Sequence, residues 1–329
     1  VPFRTIGAGY IHSCGLTTAG GVVCWGSNEY GSLGDGSGAA ASTPVPVAII
    51  DHVFDRLSVG GLHTCALDPS GRAYCWGYNG DGQLGDGTEE DSPVPVLAAD
   101  GHTFRSVSAG YLHTCGIDAE GITYCWGDNE HGQLGIGSTA DAATPVAVAG
   151  ALGFRTVDAG GLHTCALDAE GRAYCWGYNS RGQLGDGSTT DRVAPIPVAG
   201  DLHFASISAG GLHTCAVDLE GRAYCWGYNQ RGALGDGSTT NSAVPVPVAL
   251  DAGTAPVTSI HAGLHHTCAV LADGTAVCWG LGGYGQLGSG AMLDSADPLI
   301  VLGPDATIFA PGIETPPLDG EGLTPLPGR

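Results

Sequence analysis

Apolar and polar positions alternate along this chain in short runs and never hold a helical period for long. The fourth of its recurring units, FRTVDAGGLHTCALDAEGRAYCWGYNSRGQLGDGSTTDRVAPIPVAG from Phe154, shows the pattern best. Alternating runs bounded by Gly, Asp and Pro are the mark of short strands joined by turns. Four strands are predicted in this unit: 154–159, 163–168, 172–177 and a less regular one at 195–198.

The second and third strands form a hairpin whose turn sets its register. In the second unit the junction is Asp68-Pro69-Ser70-Gly71-Arg72, with Pro and Ser suited to the centre of a type I turn and Gly to the left-handed position after it. A loop of that kind puts Asp68 opposite Arg72, Ala66 opposite Tyr74, Leu67 opposite Ala73 and Cys65 opposite Cys75. Counting from a hydrogen-bonded Asp68 and Arg72 pair, the two cysteines fall where the backbones approach most closely.

The same ten-residue spacing joins Cys14 with Cys24, Cys115 with Cys125, Cys165 with Cys175, Cys215 with Cys225 and Cys268 with Cys278, which accounts for all 12 cysteines. The first members recur every 50 to 53 residues, so the chain is one unit written six times. Six disulfides are expected, against the alternatives of free core thiols or metal ligation. A zinc site would bring four ligands together, whereas each pair here stands alone in its unit. Four strands in about 50 residues is the size of a propeller blade. The fold expected is therefore all-β, a β-propeller of about six, alternatively seven, four-stranded blades. The domain reading is a propeller over residues 1–309 and a Pro/Gly-rich C-terminal tail over 310–329.

Charge and cysteine use narrow the setting. There are 33 acidic residues against 11 basic ones, all of them arginine, for a net charge of −22. Such a chain repels nucleic acid and anionic membranes, and neither is expected as a partner. Apolar runs are strand-length, so no membrane insertion is expected. Paired cysteines imply an oxidising compartment, hence an extracellular, periplasmic or cell-surface location. The chain opens at Val1-Pro2-Phe3 within the first strand of a unit, which reads as a processed or trimmed chain.

The segment GGLHTCALDxxGRAYCWGYNxxGxLGDGS, recurring at Gly60, Gly160 and Gly210, resembles the repeat of the regulator of chromosome condensation family. The resemblance covers roughly residues 3 to 303 and suggests a secreted, bacterial-type member with paired cysteines. It implies a propeller, usually of seven blades, that acts by presenting loops and faces to other macromolecules. The eukaryotic nuclear member is an exchange factor that binds chromatin. The paired cysteines and the acidic charge speak against transferring that role.

Several repeated residues invite a chemical reading. His12, His63, His113, His163, His213 and His266 each precede a first cysteine by two positions, and are expected to hydrogen-bond one blade to the next rather than to bind metal. Trp25, Trp76, Trp126, Trp176, Trp226 and Trp279 follow the second cysteines and are expected to fill the space between blades. Asp35, Asp86, Asp186 and Asp236 in the LGDG turns are expected to be solvated turn residues rather than calcium ligands. No nucleophile with a paired base and no phosphate loop is found, so no catalytic residue, metal or cofactor is assigned and no enzyme is expected.

Function is then expected where the units differ. The variable segments are 38–43, 89–91, 139–144, 189–194, 239–244 and 291–297, together with the positions after Trp-Gly. From these the candidate partner-binding residues are Glu29, Tyr30, Asp81, Glu130, His131, Arg181 and Arg231. The expected role is a non-enzymatic protein-interaction or assembly module, binding through loops or the C-terminal tail. The alternative is an extracellular inhibitor or lectin-like binder, with a nucleotide exchange factor less favoured. Residues 306–310 resemble the first strand of a further unit, able to begin a seventh blade or to close a ring of six.

Overall fold

The computed structural model describes residues 2–49, 52–98 and 101–303, and within them every regular element is a β-strand. The expected tail and the strand at 306–310 lie outside the described residues. Twenty-four strands form six separate four-stranded antiparallel sheets, each from four strands consecutive in sequence. These are six blades of a β-propeller. Their innermost strands are Phe3–Ala8, Arg56–Val59, Phe104–Ala109, Phe154–Ala159, Phe204–Ala209 and Val257–Ala262, and blades one to six are numbered in that order. Successive innermost strands touch around a central axis.

Two predicted boundaries move. The third strand of blade four is Ala173–Gly177, because Arg172 belongs to the turn: its N–H donates to Asp168 Oδ1 (2.9 Å) and its Nε to Asp168 Oδ2 (2.7 Å). The fourth strand is Arg192–Pro197 and starts earlier than expected. Gly177 pairs with Arg192 across a bulge, so part of the variable segment 189–194 is sheet. Pro195 and Pro197 sit on this outermost strand, where an absent N–H costs no ladder bond and blunts the open edge.

The hairpin register is the one the turn dictates. Cys65 lies opposite Cys75, Ala66 opposite Tyr74 and Leu67 opposite Ala73. All 12 cysteines are in intra-hairpin disulfides, paired as the spacing predicts. Cys14 bonds Cys24 in blade one with Cα atoms 4.0 Å apart. The same bridge joins Cys65 to Cys75, Cys115 to Cys125, Cys165 to Cys175, Cys215 to Cys225 and Cys268 to Cys278, each with Cα atoms 4.1 Å apart. Neither free thiols nor thiolate ligation is left for these residues.

Alternation of side chains across each sheet gives every blade two unlike faces. One carries the disulfide and its neighbours, the other the tryptophan. Cys14, Leu16, Val22 and Cys24 of blade one pack against Phe54, Ala66 and Trp76 of blade two. The tryptophans of blades two to six are fully buried in this way, as expected. Each indole N–H donates to a carbonyl of the preceding blade: Trp76 to Ser32 (3.0 Å), Trp126 to Gln83 (3.0 Å), Trp176 to Gln133, Trp226 to Gln183 and Trp279 to Ala233 (2.9 Å each).

The histidines tie the same junctions. Nε2 of His12, His63, His113, His163 and His213 lies 2.8 Å from the hydroxyl of Thr64, Thr114, Thr164, Thr214 and Thr267 in the next blade. From Thr114 onward that hydroxyl donates its hydrogen to a carbonyl of the preceding blade, for example Thr164 to Gln133 (2.8 Å). Those hydroxyls must then accept from the imidazole, so His63, His113, His163 and His213 are the Nε2–H tautomer. Nδ1 is left buried without a partner. Protonating it would bury a charge and an unpaired donor, and burial accordingly pulls the pKa of His12 down to about 4 and those of His63, His113, His163 and His213 to about 3.

Asp158 has the opposite sense: burial raises it to about 6, despite hydrogen bonds from Ala209 N–H and Ser108. Below pH 6.5 the unfolded chain gains protons on five histidines that the fold excludes. Stability therefore falls as pH drops from 6.5 towards 3, by about 1.4 kcal/mol per pH unit for each group. The folded state binds a proton on Asp158 that the unfolded chain lacks between pH 6 and about 4, which offsets one of the five. Urea midpoints measured from pH 7.5 down to 4.5 are expected to fall steeply below 6.5. A flat profile would show that the imidazoles are not held neutral.

Candidate interaction face

Strand three of every blade ends beside the start of strand two, so the loops after Trp-Gly share one face of the propeller with the loops joining strands one and two. A single buried asparagine shapes the first of these in blades one to five. Asn179 reaches Asp186 Oδ1 (3.2 Å) and the carbonyls of Ser188 (3.2 Å) and Thr190 (3.1 Å) with Nδ2, while its Oδ1 accepts Leu184 N–H (3.0 Å). Asn28, Asn79, Asn129 and Asn229 repeat the arrangement, and Gly282 replaces the asparagine in blade six. The sequence shows this residue in the WGYN motif, but its role depends on folding the next dozen residues back over it.

The LGDG aspartates are more than solvated. Asp186 accepts from Ser188 N–H (2.9 Å), Asn179 and Arg192, and these partners hold its carboxyl below its ordinary pKa against the opposing effect of burial. Gly185 within the same turn has φ 70°, and a Cβ there would strike the indole of Trp226 in the next blade. Only glycine meets both demands. Among the described residues no three His, Cys, Asp or Glu side chains come together as a metal site.

Two residues after the asparagine, one turn position carries Tyr30, Asp81, His131, Arg181, Arg231 and Tyr284 in blades one to six. The backbone there is uniform: N–H of Asp81, His131, Arg181 and Tyr284 each donates to the Oε1 of the glutamine two residues on. The side chains are not. Arg181 is exposed, as are Glu29 and Glu130 one position earlier in blades one and three. His131 lies 3.1 Å from Asp191 and against the ring of Tyr178, and Arg231 lies 3.2 Å from Asp294 of blade six. Carboxylates thus dominate the first three blades and cations the next two.

An aromatic cluster that sequence reasoning missed adjoins them. Tyr10 and Tyr111 belong to blades one and three and meet edge to face at 5.9 Å, because Gly61 between them has no side chain and the Tyr111 ring lies over it. Tyr30 meets Tyr78 at 5.1 Å. Burial, with Tyr10 and Tyr30 nearby, raises the Tyr111 hydroxyl pKa. The signal was present: Tyr10 and Tyr111 stand where blades two, four and five have the second glycine of Gly-Gly. On the axis, a cavity of about 270 Å³ is bordered by Asp158, Ser208 and His261. Asp158 replaces the serine of Ser58, Ser108 and Ser208, and like them accepts an N–H from the next blade.

Residues 2–211 match the family model described as RCC1-like domain, and residues 220–270 and 257–286 match models of the regulator of chromosome condensation (RCC1) repeat. The human probable E3 ubiquitin-protein ligase HERC4 is 38% identical over 94 residues, a segment spanning 28% of this chain and only 9% of the ligase. The structure of human WBSCR16 superposes with a TM-score of 0.83 at 23% identity, covering 92% of this chain and 82% of that one. Yeast RCC1 (Prp20), solved bound to Kap60, gives 0.80 at 21% identity, covering 92% and 75%. At these identities the two structures establish the fold.

Because Asn179 satisfies both ends of its loop from a buried position, Asn179→Ala is expected to cost about 2–3 kcal/mol. Denaturant unfolding measures the loss, and hydrogen exchange should accelerate across 184–190. Unchanged exchange there would show that the turn holds without the asparagine.

Proposed function

The chain belongs to the RCC1-like domain family, and on that premise we propose that it is a secreted, disulfide-stapled propeller that binds another protein without catalysing a reaction on it. One observation carries the reading. A single turn position on one face carries tyrosine, aspartate, histidine or arginine from blade to blade on a nearly uniform backbone, beside a cluster of four tyrosines. Tyrosine and arginine supply much of the binding energy at protein interfaces, since both bury large surface while keeping a polar end satisfied. The division between Glu29, Asp81 and Glu130 of blades one to three and Arg181 and Arg231 of blades four and five favours a partner with charges arranged in the opposite sense.

The yeast structural relative bound to Kap60 supports the use of such a propeller as a protein-binding surface. Six buried disulfides support an oxidising destination, where they stay closed. The net charge of −22 supports a protein partner over nucleic acid.

The test is capture from the exterior fraction of the source organism, with the recovered partner then titrated against variants. Tyr10→Ala and Arg181→Glu are expected to weaken binding roughly tenfold or more. Leu219→Ala, on the hairpin turns of the opposite face, should leave it unchanged. Equal binding by all three variants would sink the assignment of the face, and recovery of no protein would sink the function.

A further inference from the structure

One position on the innermost strands, opposite the first cysteine of each hairpin, breaks the repeat with chemistry. Blades one to six carry Gly7, Ser58, Ser108, Asp158, Ser208 and His261 there. Each serine hydroxyl accepts an N–H from the next blade: Ser58 from Ala109 (2.9 Å), Ser108 from Ala159 (3.0 Å) and Ser208 from Ala262 (3.1 Å). Asp158 does the same for Ala209 through Oδ2 (2.8 Å). The fold therefore asks of this position only what serine supplies. A carboxylate there adds a charge that the fold does not use, and perturbed carboxylates of that kind gather at functional sites.

That charge has no counter-ion in the protein. Besides the amide of Ala209, Asp158 takes hydrogen bonds from the hydroxyls of Ser108 (3.1 Å to Oδ1) and Ser208, and all three donors are neutral. Arg155, on the same strand, spends its guanidinium on the carbonyls of Asp168, Phe204 and Ala205. Among the described residues no arginine pairs with Asp158. His261 of blade six is the titratable group whose charge reaches it, and burial still pushes its pKa up to about 6. A buried carboxylate is expensive until it is paired, and of its roughly four acceptor sites one is left over.

Asp158 borders the axial cavity of about 270 Å³, the room of about nine liquid waters. The innermost strands of blades four, five and six supply the rest of its wall, with Ser206 and Ser259 as polar neighbours and Val157, Ile207 and Ile260 as apolar ones. Such a lining offers one anion, several oxygens and a short apolar stretch. Among the described residues no three His, Cys, Asp or Glu side chains converge to hold a metal. An ammonium group matches the lining better: its three N–H donors suit carboxylate and hydroxyl oxygens, and it brings the charge that Asp158 lacks. The net charge of −22 draws cations inward. We propose that the axial cavity binds a primary ammonium group on a short aliphatic stem, with Asp158 as its counter-ion and Ser206 and Ser259 as hydroxyl acceptors. A free amine or a lysine side chain of another protein carries that group. The site is in the channel and not on the loop face, and the inference does not depend on the reading of that face.

The full chain is titrated with butylammonium chloride at pH 7.5 and binding is read by isothermal titration calorimetry. One saturable site per chain is expected, and 1-butanol, similar in shape but uncharged, should bind at least roughly tenfold more weakly. Asp158→Ser keeps an acceptor for Ala209 N–H, and Asp158→Asn keeps the side-chain shape. Each is expected to weaken the amine roughly tenfold or more. The urea midpoint of Asp158→Ser at pH 7.5 should hold or rise, because a carboxylate whose pKa is raised by folding destabilises the fold once it is ionised. Tighter binding of Nα-acetyl-lysine amide than of butylammonium identifies a lysine side chain as the natural form, and the reverse order identifies a free amine. Absent saturable binding, equal binding of the alcohol, or undiminished binding by both variants overturns the proposal. A lowered midpoint for Asp158→Ser also overturns it, by showing that the fold needs the carboxylate. So does Mg²⁺ or Ca²⁺ that displaces the amine and binds more tightly in an Asp158-dependent way, which would make the cavity a metal site.

Discussion

The buried knot of imidazole, hydroxyl, carbonyl and indole at each blade junction governs this molecule. Four polar groups from two adjacent blades satisfy one another in an apolar setting; histidine, threonine and tryptophan are invariant across the formed junctions, while the carbonyl, a backbone group, comes from Ser32, Gln83, Gln133, Gln183 or Ala233. An unpaired member there would cost more than the bond itself gains, so the network specifies one spacing and one angle between neighbours. The hydrophobic contact of a disulfide face with a tryptophan face supplies the driving force. The knot decides how those faces sit, and it commits the histidines to neutrality, which makes the scaffold a consumer of deprotonated imidazole.

Regularity inside the propeller frees its surface. The asparagine beneath the rim loop in blades one to five fixes the backbone whatever side chain follows two residues later, so tyrosine, aspartate, histidine and arginine occupy equivalent positions without disturbing the frame. Such an arrangement separates the residues that set stability from those that set recognition. The tyrosine cluster extends the principle across blades: a glycine in blade two allows rings from blades one and three to meet over it.

Local physics was legible in the sequence and relations between blades were not. Strand alternation and the Asp-Pro-Ser-Gly-Arg turn give the hairpin, its register and the apposition of Cys65 with Cys75, because all three depend on residues within a dozen positions. The pairings of Cys115 with Cys125, Cys215 with Cys225 and Cys268 with Cys278 follow from the same local geometry. The histidine and tryptophan roles followed from their occurrence once per unit. Tyr10 and Tyr111 were missed, since they are 101 residues apart and meet only across Gly61 of the blade between them. The aspartates of the LGDG turns were read as solvated for a related reason, their asparagine, serine and arginine partners being gathered by the loop itself. The start of the outer strand was hidden by a bulge that no alternation pattern reveals.

The placement of the disulfides bears on how the protein is made. Each cysteine's correct partner is also its nearest in sequence, ten residues away, with the next pair some forty residues beyond. A chain emerging vectorially into an oxidising space can close each hairpin before the next thiol arrives, and the short loop makes that encounter the most frequent one. In an oxidising setting, oxidation would then follow the order of synthesis, mispaired isomers would have little opportunity to accumulate, and maturation would place small demand on enzymes that reshuffle bridges.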